Sequence, residues 1–491
     1  MTQTVTLPLW LVLILLALAA LAVLEWMLLP SVRWYFRRKM TRVIREVHVR
    51  FNIDIAQFKL TRRQVLIDRL FHDTKVQAAA ESYRSEQGVP RSVALQKTDR
   101  YAREIVPAFN AYLYFRVGYW LAKGVARFLY RVRLGYTDGA SIAAVDPKST
   151  VVFVMNHRSN MDYVLVAFLA AERVALSYAV GEWARVWPLQ TLIRAMGAYF
   201  VRRSSGDPLY RMVLQRYVQM ATEGGVPQAL YPEGGLTVDG RLRPPRLGLL
   251  DYMLKTFDPG GERDLVFIPV GINYDRVIED RTLMLKLDGG PRRGMLFAIG
   301  MALGFIAKQA WKILLGRWFR FGYACVNFGR PISMRDYARR HQLDFRALDD
   351  IERHRQVEAV GQSLMTEIGS IVPVLPVSLV ATVLLRDANL AMSELELKWA
   401  VHELMLALER GGAHVYIPRA DHDYAITVGL RMLTLRRLVH EREGLYAANP
   451  DHIGVLRYYA NSIAHLVERD DPISRGSLPA AAGRAPAPGP A

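Results

Sequence analysis

The pattern of hydrophobic and polar positions divides the chain into segments that predict different structures. Residues 7–24 contain no charged or strongly polar residue, and a helix of that length crosses the hydrocarbon layer of a membrane. Residues 33–140 have the period of amphipathic helices rich in Arg and Lys, and the stretch 112–123 suits a position on a bilayer surface. We therefore expect a transmembrane anchor over residues 1–32 and a helical, membrane-proximal region over residues 33–140.

From residue 141 the pattern changes to short apolar runs that alternate with longer helical ones. This alternation predicts an α/β fold, with helices packed against a sheet, over residues 141–338. A helix is predicted over residues 205–223, where two glycines follow and end it. The thirteen apolar residues 295–307 are too few to span a membrane and predict a buried or interfacial helix. The runs that predict buried strands are 151–155, 228–231, 265–272 and 323–328.

The C-terminal part of the chain has mainly helical periodicity. Residues 339–473 predict a helical domain, which the proline-containing segment 371–377 interrupts. Residues 474–491 are rich in Pro, Ala and Gly, a composition that predicts a disordered tail.

The net charge of the chain restricts the classes of partner that it is expected to bind. Lys and Arg number 64 against 46 Asp and Glu, so the formal net charge is +18. Such an excess favours anionic partners, namely acidic lipid headgroups, phosphorylated substrates or nucleic acid. No nucleic-acid-binding module is recognisable, so we expect no nucleic-acid partner. The single cysteine, Cys325, excludes an internal disulfide and a cysteine-based zinc site.

The charges beside the apolar segment predict its orientation. No Lys or Arg precedes residues 7–24, whereas Arg33, Arg37 and Arg38 follow them closely. The positive-inside rule then places the rest of the chain in the cytosol. We expect an inner-membrane protein with one N-terminal span and its catalytic domain on the cytoplasmic face.

The first predicted strand leads into the segment 156–162, Asn-His-Arg-Ser-Asn-Met-Asp. A histidine at the end of a strand lies at the sheet edge where active sites of open α/β folds gather. Asp162, five residues after His157, can bond one imidazole nitrogen and leave the other free to accept a proton. Because this spacing alone is unspecific, the pair gains weight only from the residues that follow it.

Three further segments have the chemistry of a phosphate site. Arg202 and Arg203 end an apolar run and can form a clamp for a phosphate group. The turn that contains Glu233, Gly234 and Gly235 directly follows a predicted strand, and its glycines let backbone N–H groups approach an anion. The proline-bounded loop after it adds three more cations, Arg241, Arg243 and Arg246.

These segments, in this order, resemble the motifs of the glycerolipid acyltransferases. The shared pattern is His-Arg-Ser-x-Met-Asp, then Gly-Ala-x-Phe-Val-Arg-Arg, then Tyr-x-Glu-Gly-Gly, then Ile-Pro-Val-x-Ile-x-Tyr-Asp. The arginine pair and the segments 376–385 and 459–465 resemble the bacterial membrane-bound glycerol-3-phosphate and dihydroxyacetone-phosphate acyltransferases. The resemblance implies a mixed sheet flanked by helices.

The resemblance also implies a reaction, in which a fatty acyl group passes from a thioester of coenzyme A or acyl carrier protein to the sn-1 hydroxyl of glycerol 3-phosphate. This would be the first step of phospholipid synthesis, with no cofactor and no metal. Acylation of dihydroxyacetone phosphate or lysophosphatidic acid, or an inactive lipid-binding scaffold, are the alternatives. The expected partners are the two substrates and membrane lipid, and the oligomeric state is open.

By the same resemblance, His157 is the general base and Asp162 orients it. Substrate binding falls to Arg158, the arginine pair, the Glu-Gly-Gly turn and Pro269. This chain has Leu-Thr-Val at 236–238, where the family usually has Arg-Ser-Arg. The basic loop, with Arg241 and Arg246 as the first candidates, is therefore expected to hold the phosphate.

Overall fold

The computed structural model describes the chain from residue 56 to residue 470, with short gaps. The predicted span at 7–24, the tail and Arg203 lie outside the described residues, as does nearly all of the apolar stretch 295–307. Within the described part, no helix has both the length and the apolar character needed to cross a bilayer. The described residues are 56–170, 176–181, 189–202, 205–287, 304, 311 and 319–470.

Helices make up most of the described chain. In the N-terminal half they are α1 (Gln57–Leu60), α2 (Arg63–Phe71), α3 (Thr74–Gln87), α4 (Arg91–Ile105), a π-helical turn (Leu113–Gly118), α5 (Tyr119–Leu129), α6 (Gly139–Ala143), α7 (Met161–Ala170), α8 (Leu189–Ala195) and α9 (Pro208–Glu223). They continue as α10 (Gly248–Leu254), α11 (Asp280–Leu287), α12 (Met334–His341), α13 (Asp350–Ser370), α14 (Pro376–Leu384), α15 (Glu394–Arg410), α16 (His422–Leu435), α17 (Ile453–Ala460) and α18 (Ala464–Asp470), with 3-10 turns at Pro418–Ala420 and Pro450–His452.

A mixed eight-stranded sheet forms the centre of the fold, in the order β1-β7-β6-β2-β5-β3-β4, and β8 pairs with β6. The run from β6 through β2, β5 and β3 to β4 is parallel, whereas β7 and β8 are antiparallel to β6. Its strands are β1 (Arg131–Thr137), β2 (Thr150–Met155), β3 (Ser177–Gly181), β4 (Tyr199–Val201), β5 (Gln228–Leu230), β6 (Leu265–Tyr274), β7 (Tyr323–Phe328) and β8 (Ile332–Ser333). The α/β architecture is as the sequence predicts, and all four predicted strands are present.

The helical prediction for residues 33–140 is wrong at its C-terminal end, where β1 lies. This strand pairs in parallel with β7, with Val132 opposite Ala324. Its sequence, Arg-Val-Arg-Leu-Gly-Tyr-Thr, has alternating polar and apolar positions and the residue types that favour strands. The alternation extends over only seven residues, and the helical pattern of the preceding residues makes it hard to recognise in the sequence.

The C-terminal region also contains strands that its helical pattern does not predict. A small antiparallel sheet has the order β10-β11-β9. Its strands are β9 (Met392–Ser393), β10 (Val439–Arg442) and β11 (Leu445–Ala448). Two- to four-residue strands are too short to show a period of their own.

Side chains that alternate along the strands fill two cores. On β2, Phe153 and Met155 face the core that contains α5, α7 and the C-terminal helices α14–α17. Val152 and Val154 face the opposite core, which contains α2–α4, α9, α10 and α13. The sheet is therefore covered on both faces, so that its carboxyl edge remains as the place for a site.

The helix predicted at 205–223 shows how local sequence fixes an element. Asp207 caps α9 by accepting hydrogen bonds from the amides of Leu209 and Tyr210, and Pro208 occupies the first turn. The helix ends at Glu223, and Gly225 follows with a positive φ of 70°. α9 therefore connects β4 to β5 with both ends fixed, and its first turns lie beside the carboxyl ends of these strands.

Candidate active site

The imidazole of His157 lies two residues beyond the end of β2, and Asp162 lies in the first turn of α7. Nδ1 of His157 is 2.9 Å from Oδ2 of Asp162, which is the contact that the spacing of five residues predicts. Both side chains are almost completely buried. A carboxylate at Nδ1 fixes the tautomer in which Nδ1 carries the proton and Nε2 has a free lone pair.

The carboxylate of Asp162 is itself held by several donors. Its Oδ2 accepts hydrogen bonds from the backbone amides of Arg158 and Ser159 at 2.8 and 3.0 Å. Its Oδ1 accepts a hydrogen bond of 2.6 Å from the hydroxyl of Tyr274, at the end of β6. These bonds hold the Asp162 carboxylate in a single orientation. It can therefore orient the imidazole and stabilise the positive charge that the ring gains with a proton.

The other imidazole nitrogen, Nε2 of His157, has no hydrogen-bond partner among the described residues. The ring stacks on Tyr231 with centroids 3.9 Å apart and meets Tyr163 edge-on at 5.5 Å. His157 lines a cavity of 340 Å³ at the carboxyl ends of β3, β4 and β5. A buried ring nitrogen without a partner, beside a cavity, is what a general base needs to reach a substrate hydroxyl.

Three arginines line this cavity together with His157, namely Arg202, Arg211 and Arg246. Arg202 is already engaged, because its Nε and Nη2 donate to the two oxygens of Glu104 at 2.8 and 2.6 Å. Neither Arg211 nor Arg246 forms an ion pair with a carboxylate of the described residues. The cavity thus has one guanidinium that is neutralised and two that are available to an anion.

Arg246 is held close to the Glu-Gly-Gly turn. Its backbone amide donates to the carbonyl of Pro232 at 2.7 Å, and its Cδ would lie 2.5 Å from a Cβ at position 234. Gly234 also has a positive φ of 68°. Glycine is therefore required at 234 both for the backbone conformation and for the passage of the Arg246 side chain into the cavity.

Glu233 lies in the wall behind His157 and does not line the cavity. Its carboxylate accepts hydrogen bonds from the backbone amides of His157 and Arg243, at 2.8 and 3.2 Å. Burial raises the pKa of Glu233 to about 7. The structure therefore gives Glu233 a positioning role, whereas the resemblance implies that it binds substrate.

Other predicted substrate-binding residues lie away from the cavity. Arg158 is buried, donates to the carbonyl of Gly240 at 2.6 Å and lies over the ring of Tyr458, so it connects the segment 156–160 after β2 to the C-terminal helix α17. Arg241 is exposed and pairs with Glu468 at 3.1 Å. Pro269 lies inside the sheet, opposite Val154 on β2. The structure thus does not bring these three residues to the cavity, since a sequence motif gives proximity along the chain but not the direction of each side chain.

Gly235, in the turn after Gly234, is buried and likewise does not line the cavity. The hydroxyl of Ser159 donates a hydrogen bond of 2.7 Å to Glu279, which fixes the segment 156–160 after β2. Arg203 lies outside the described residues.

A second, apolar cavity of 230 Å³ lies behind Tyr163. It shares Tyr163 and Val180 with the cavity at His157. Its remaining lining is almost entirely apolar and comes from the π-helical turn, from α5, α7 and α8, from β3 and from the residues just before β4. The candidate site therefore has a charged compartment and an adjoining hydrophobic one.

The sequence does not single out Arg211 or Tyr274, although both contribute to the site. Arg211 is the fourth residue of α9, and only its place in the first turn after β4 could have indicated it. Tyr274 stands in the Ile-Pro-Val segment next to Asp275, where its signal is that of an ordinary strand residue. Both become recognisable only when the strands are assembled in their order.

Comparison with known proteins gives two family matches. The family described as "Acyltransferase" matches residues 140–273, and "Glycerol-3-phosphate acyltransferase C-terminal region" matches residues 307–469. Together they cover more than half of the chain.

Curated relatives agree with these matches. The glycerol-3-phosphate acyltransferase of Xanthomonas campestris is 27% identical over 87% of this chain and 48% of its own length. That of Pseudomonas entomophila is 27% identical over 87% of this chain and 52% of its own. The chain thus spans about half the length of these relatives. The crystal structure of a 1-acyl-sn-glycerophosphate acyltransferase from Thermotoga maritima, 17% identical, covers 62% of this chain and 97% of its own, with a TM-score of 0.30, too low to support an argument.

Proposed function

We propose that this chain belongs to the glycerol-3-phosphate acyltransferase family and transfers a fatty acyl group from a thioester to the sn-1 hydroxyl of glycerol 3-phosphate. One observation carries the proposal most directly: His157 presents an unpartnered Nε2 beside a cavity that contains two unpaired arginines. Glycerol 3-phosphate offers a partner to each of these groups: its sn-1 hydroxyl to the base and its phosphate, two carbons away, to the arginines.

The reaction follows from the positions of these groups. Nε2 of His157 takes the proton of the acceptor hydroxyl as its oxygen attacks the thioester carbonyl. The tetrahedral intermediate collapses with cleavage of the C–S bond, and the imidazolium returns the proton to the leaving thiolate. Asp162 stabilises the imidazolium throughout. No side chain of the described residues is placed as a nucleophile beside His157, so we propose direct transfer without an acyl-enzyme.

The two cavities divide the substrates between them. Arg211 and Arg246 bind the acceptor phosphate, and Arg202, fixed by Glu104, shapes the wall next to them. The acyl chain of the donor lies in the apolar cavity behind Tyr163, which brings its thioester carbonyl to the shared wall. The donor is acyl-CoA or acyl carrier protein thioester, and the reaction needs no cofactor. The N-terminal apolar segment anchors the enzyme in the inner membrane, with its catalytic domain on the cytoplasmic face.

The experiment uses purified full-length protein, a labelled acyl thioester and a panel of acceptors: glycerol 3-phosphate, dihydroxyacetone phosphate and lysophosphatidic acid. We expect glycerol 3-phosphate to be acylated with the highest kcat/KM. His157→Ala should lower kcat by about 10³-fold or more and leave the melting temperature within a few degrees. His354→Ala, on the exposed side of α13, is the matched control. Lipid binding without transfer to any acceptor would instead make the protein a scaffold.

A further inference from the structure

The outer face of α5 is apolar, although it is exposed. Its spacing of three and four residues puts the apolar side chains on one side of the helix, where a surface helix is normally polar. The side chains of this α5 stripe, with their exposed fractions, are Val117 (39%) in the π-helical turn that leads into the helix, and Trp120 (60%) and Leu121 (51%) on α5 itself. Ala122, Ala126 and Leu129 pack the buried side of the helix, so the stripe is a separate surface that faces solvent.

A set of cations adjoins this stripe. Arg127, Arg131, Arg133 and Arg320, the arginine cluster, line a common cavity of 310 Å³. None of the four forms an ion pair with a carboxylate of the residues that the structure describes. Arg131 donates to two tyrosine hydroxyls at 3.4 Å, and Arg133 donates to the hydroxyl of Tyr416 at 3.0 Å. Neutral hydroxyls orient guanidinium groups but do not balance their charge, so the cluster can accept an anionic partner.

The cluster lies at the same edge of the sheet as His157. β1 is parallel to β7, which is antiparallel to β6 and β2, so β1 begins at the edge where β2 and β6 end. In register, Val132 at the start of β1 lies opposite Ala324, which is opposite Tyr274 at the end of β6. The arginine cluster and the catalytic histidine therefore face the same side of the molecule.

The stripe is also continuous with the hydrophobic compartment of the site. Leu121 is half-exposed on the stripe and at the same time lines the apolar cavity, together with Val125 of α5. That cavity reaches the wall that it shares with the cavity at His157, at Tyr163 and Val180. An apolar path thus runs from the surface of α5 to the candidate site.

We propose that the α5 stripe and the arginine cluster form one docking surface for an anionic phospholipid bilayer. The apolar side chains enter the boundary between headgroups and acyl chains, and the arginines beside them meet the lipid phosphates. A bilayer fits better than a protein partner because the stripe opens into a cavity of acyl-chain character. This surface is separate from the N-terminal anchor: the anchor tethers the chain, whereas docking fixes which edge of the sheet faces the lipid.

Site-specific labelling of the full-length protein tests the proposal. The single native thiol, Cys325, is completely buried, so a cysteine introduced on the surface takes the label. We would attach an environment-sensitive fluorophore at Trp120→Cys and, as a control, at Arg339→Cys. Position 339 lies on α12, which follows β8 at the start of β6, and so at the opposite edge of the sheet. The proteins are compared in detergent micelles, in neutral phosphatidylcholine vesicles and in vesicles that contain phosphatidylglycerol.

In phosphatidylglycerol vesicles, the label at 120 should shift to the blue and be quenched by lipids with a nitroxide on the acyl chain, whereas the label at 339 should stay in water. The proposal is overturned if the label at 120 remains in water with anionic lipid. It is equally overturned if the label is shielded to the same degree without any lipid, because the chain itself would then cover the stripe.

Charge is tested by two matched triple variants. Arg127→Gln/Arg133→Gln/Arg320→Gln should reduce quenching at position 120 several-fold in phosphatidylglycerol vesicles and change little in phosphatidylcholine. Arg339→Gln/Arg340→Gln/Arg355→Gln loses the same charge on the other side and should behave like the parent. Equal behaviour of the two triples would refute a role for the cluster. We expect the variant with Arg127, Arg133 and Arg320 replaced to keep its rate of acyl transfer in detergent. This measurement distinguishes a failure of docking from a failure of the proposed function.

Discussion

The cavity at His157 and the apolar cavity behind Tyr163 share two residues but have opposite linings. The first contains three arginines and the imidazole, and the second is bounded almost entirely by apolar side chains. In the first, position is fixed by hydrogen bonds, such as those that hold Asp162 and Arg202. In the second, most lining side chains have no polar atom and are positioned by packing. A change in the charged cavity should therefore alter catalysis and acceptor binding, whereas a change in the apolar cavity should alter the choice of donor.

The largest effect is expected from Asp162→Asn, which removes the carboxylate that orients the imidazole of His157. The amide cannot accept all the hydrogen bonds that Asp162 accepts, and it does not hold the imidazole in the productive tautomer. We expect kcat to fall by about 10³- to 10⁴-fold, with a much smaller change in KM for the donor. Steady-state kinetics with both substrates varied measures the two effects.

Tyr274→Phe weakens the same interaction less, and it serves if Asp162→Asn does not fold. It removes only the hydroxyl that donates to Oδ1 of Asp162 at 2.6 Å and keeps the packed ring. We expect a loss in kcat of about tenfold from one charge-assisted hydrogen bond. If both variants keep the parental kcat, Asp162 has no part in positioning the base.

The next effect distinguishes an unpaired arginine of the cavity from a paired arginine outside it. Arg211→Ala removes an unpaired cation, so KM for glycerol 3-phosphate should rise by roughly 10- to 100-fold, the worth of one charge-assisted contact. Arg241→Ala is the matched control, because its side chain pairs with Glu468 outside the cavity and should leave KM unchanged. The assignment fails if the control variant has the larger effect.

The predictable part of this site is the part that lies within one short segment. His157 and Asp162 are five residues apart, and a strand followed by a helix is enough to bring them together. Arg211 and Tyr274 reach the site from distant segments through the strand order, which the sequence does not contain in readable form. The same holds for β1, whose seven residues become a strand by pairing with β7. Arg158 and Pro269 are predicted as site residues but do not line the cavity, since a motif does not specify the direction of a side chain.

A smaller and selective effect is expected in the apolar cavity. Ala167 lines it one helical turn beyond Tyr163 on α7, so Ala167→Leu shortens the space for an acyl chain. We expect kcat/KM to fall about tenfold for long-chain donors and to change little for short-chain ones. The short-chain donors are an internal control, because they need the same catalytic groups. A uniform loss across all chain lengths would show that the variant disturbs the base and not the donor site.

The smallest effect distinguishes the two cavities by pH. Burial raises the pKa of Glu233 to about 7 from an ordinary value of 4.5, so the folded protein keeps this proton over a range in which the unfolded chain has lost it. The free energy of unfolding should therefore fall as the pH rises from about 4.5 to about 7, by about 1–3 kcal/mol for this group, and then become level. Glu233→Gln, which does not titrate, should be less stable at low pH but show a flatter dependence.

Denaturant unfolding at several pH values, followed by circular dichroism, measures this dependence. Asp275, buried elsewhere under the sheet, also has a pKa raised to about 7 by burial, so part of the slope should persist in Glu233→Gln. Ala167→Leu is the comparison from the apolar cavity. It changes packing but no titrating group, and its unfolding free energy should differ from that of the parent by the same amount at every pH. Parallel curves for the parent and Glu233→Gln would show that Glu233 does not titrate between pH 4.5 and 7, which would contradict the raised pKa of this carboxyl.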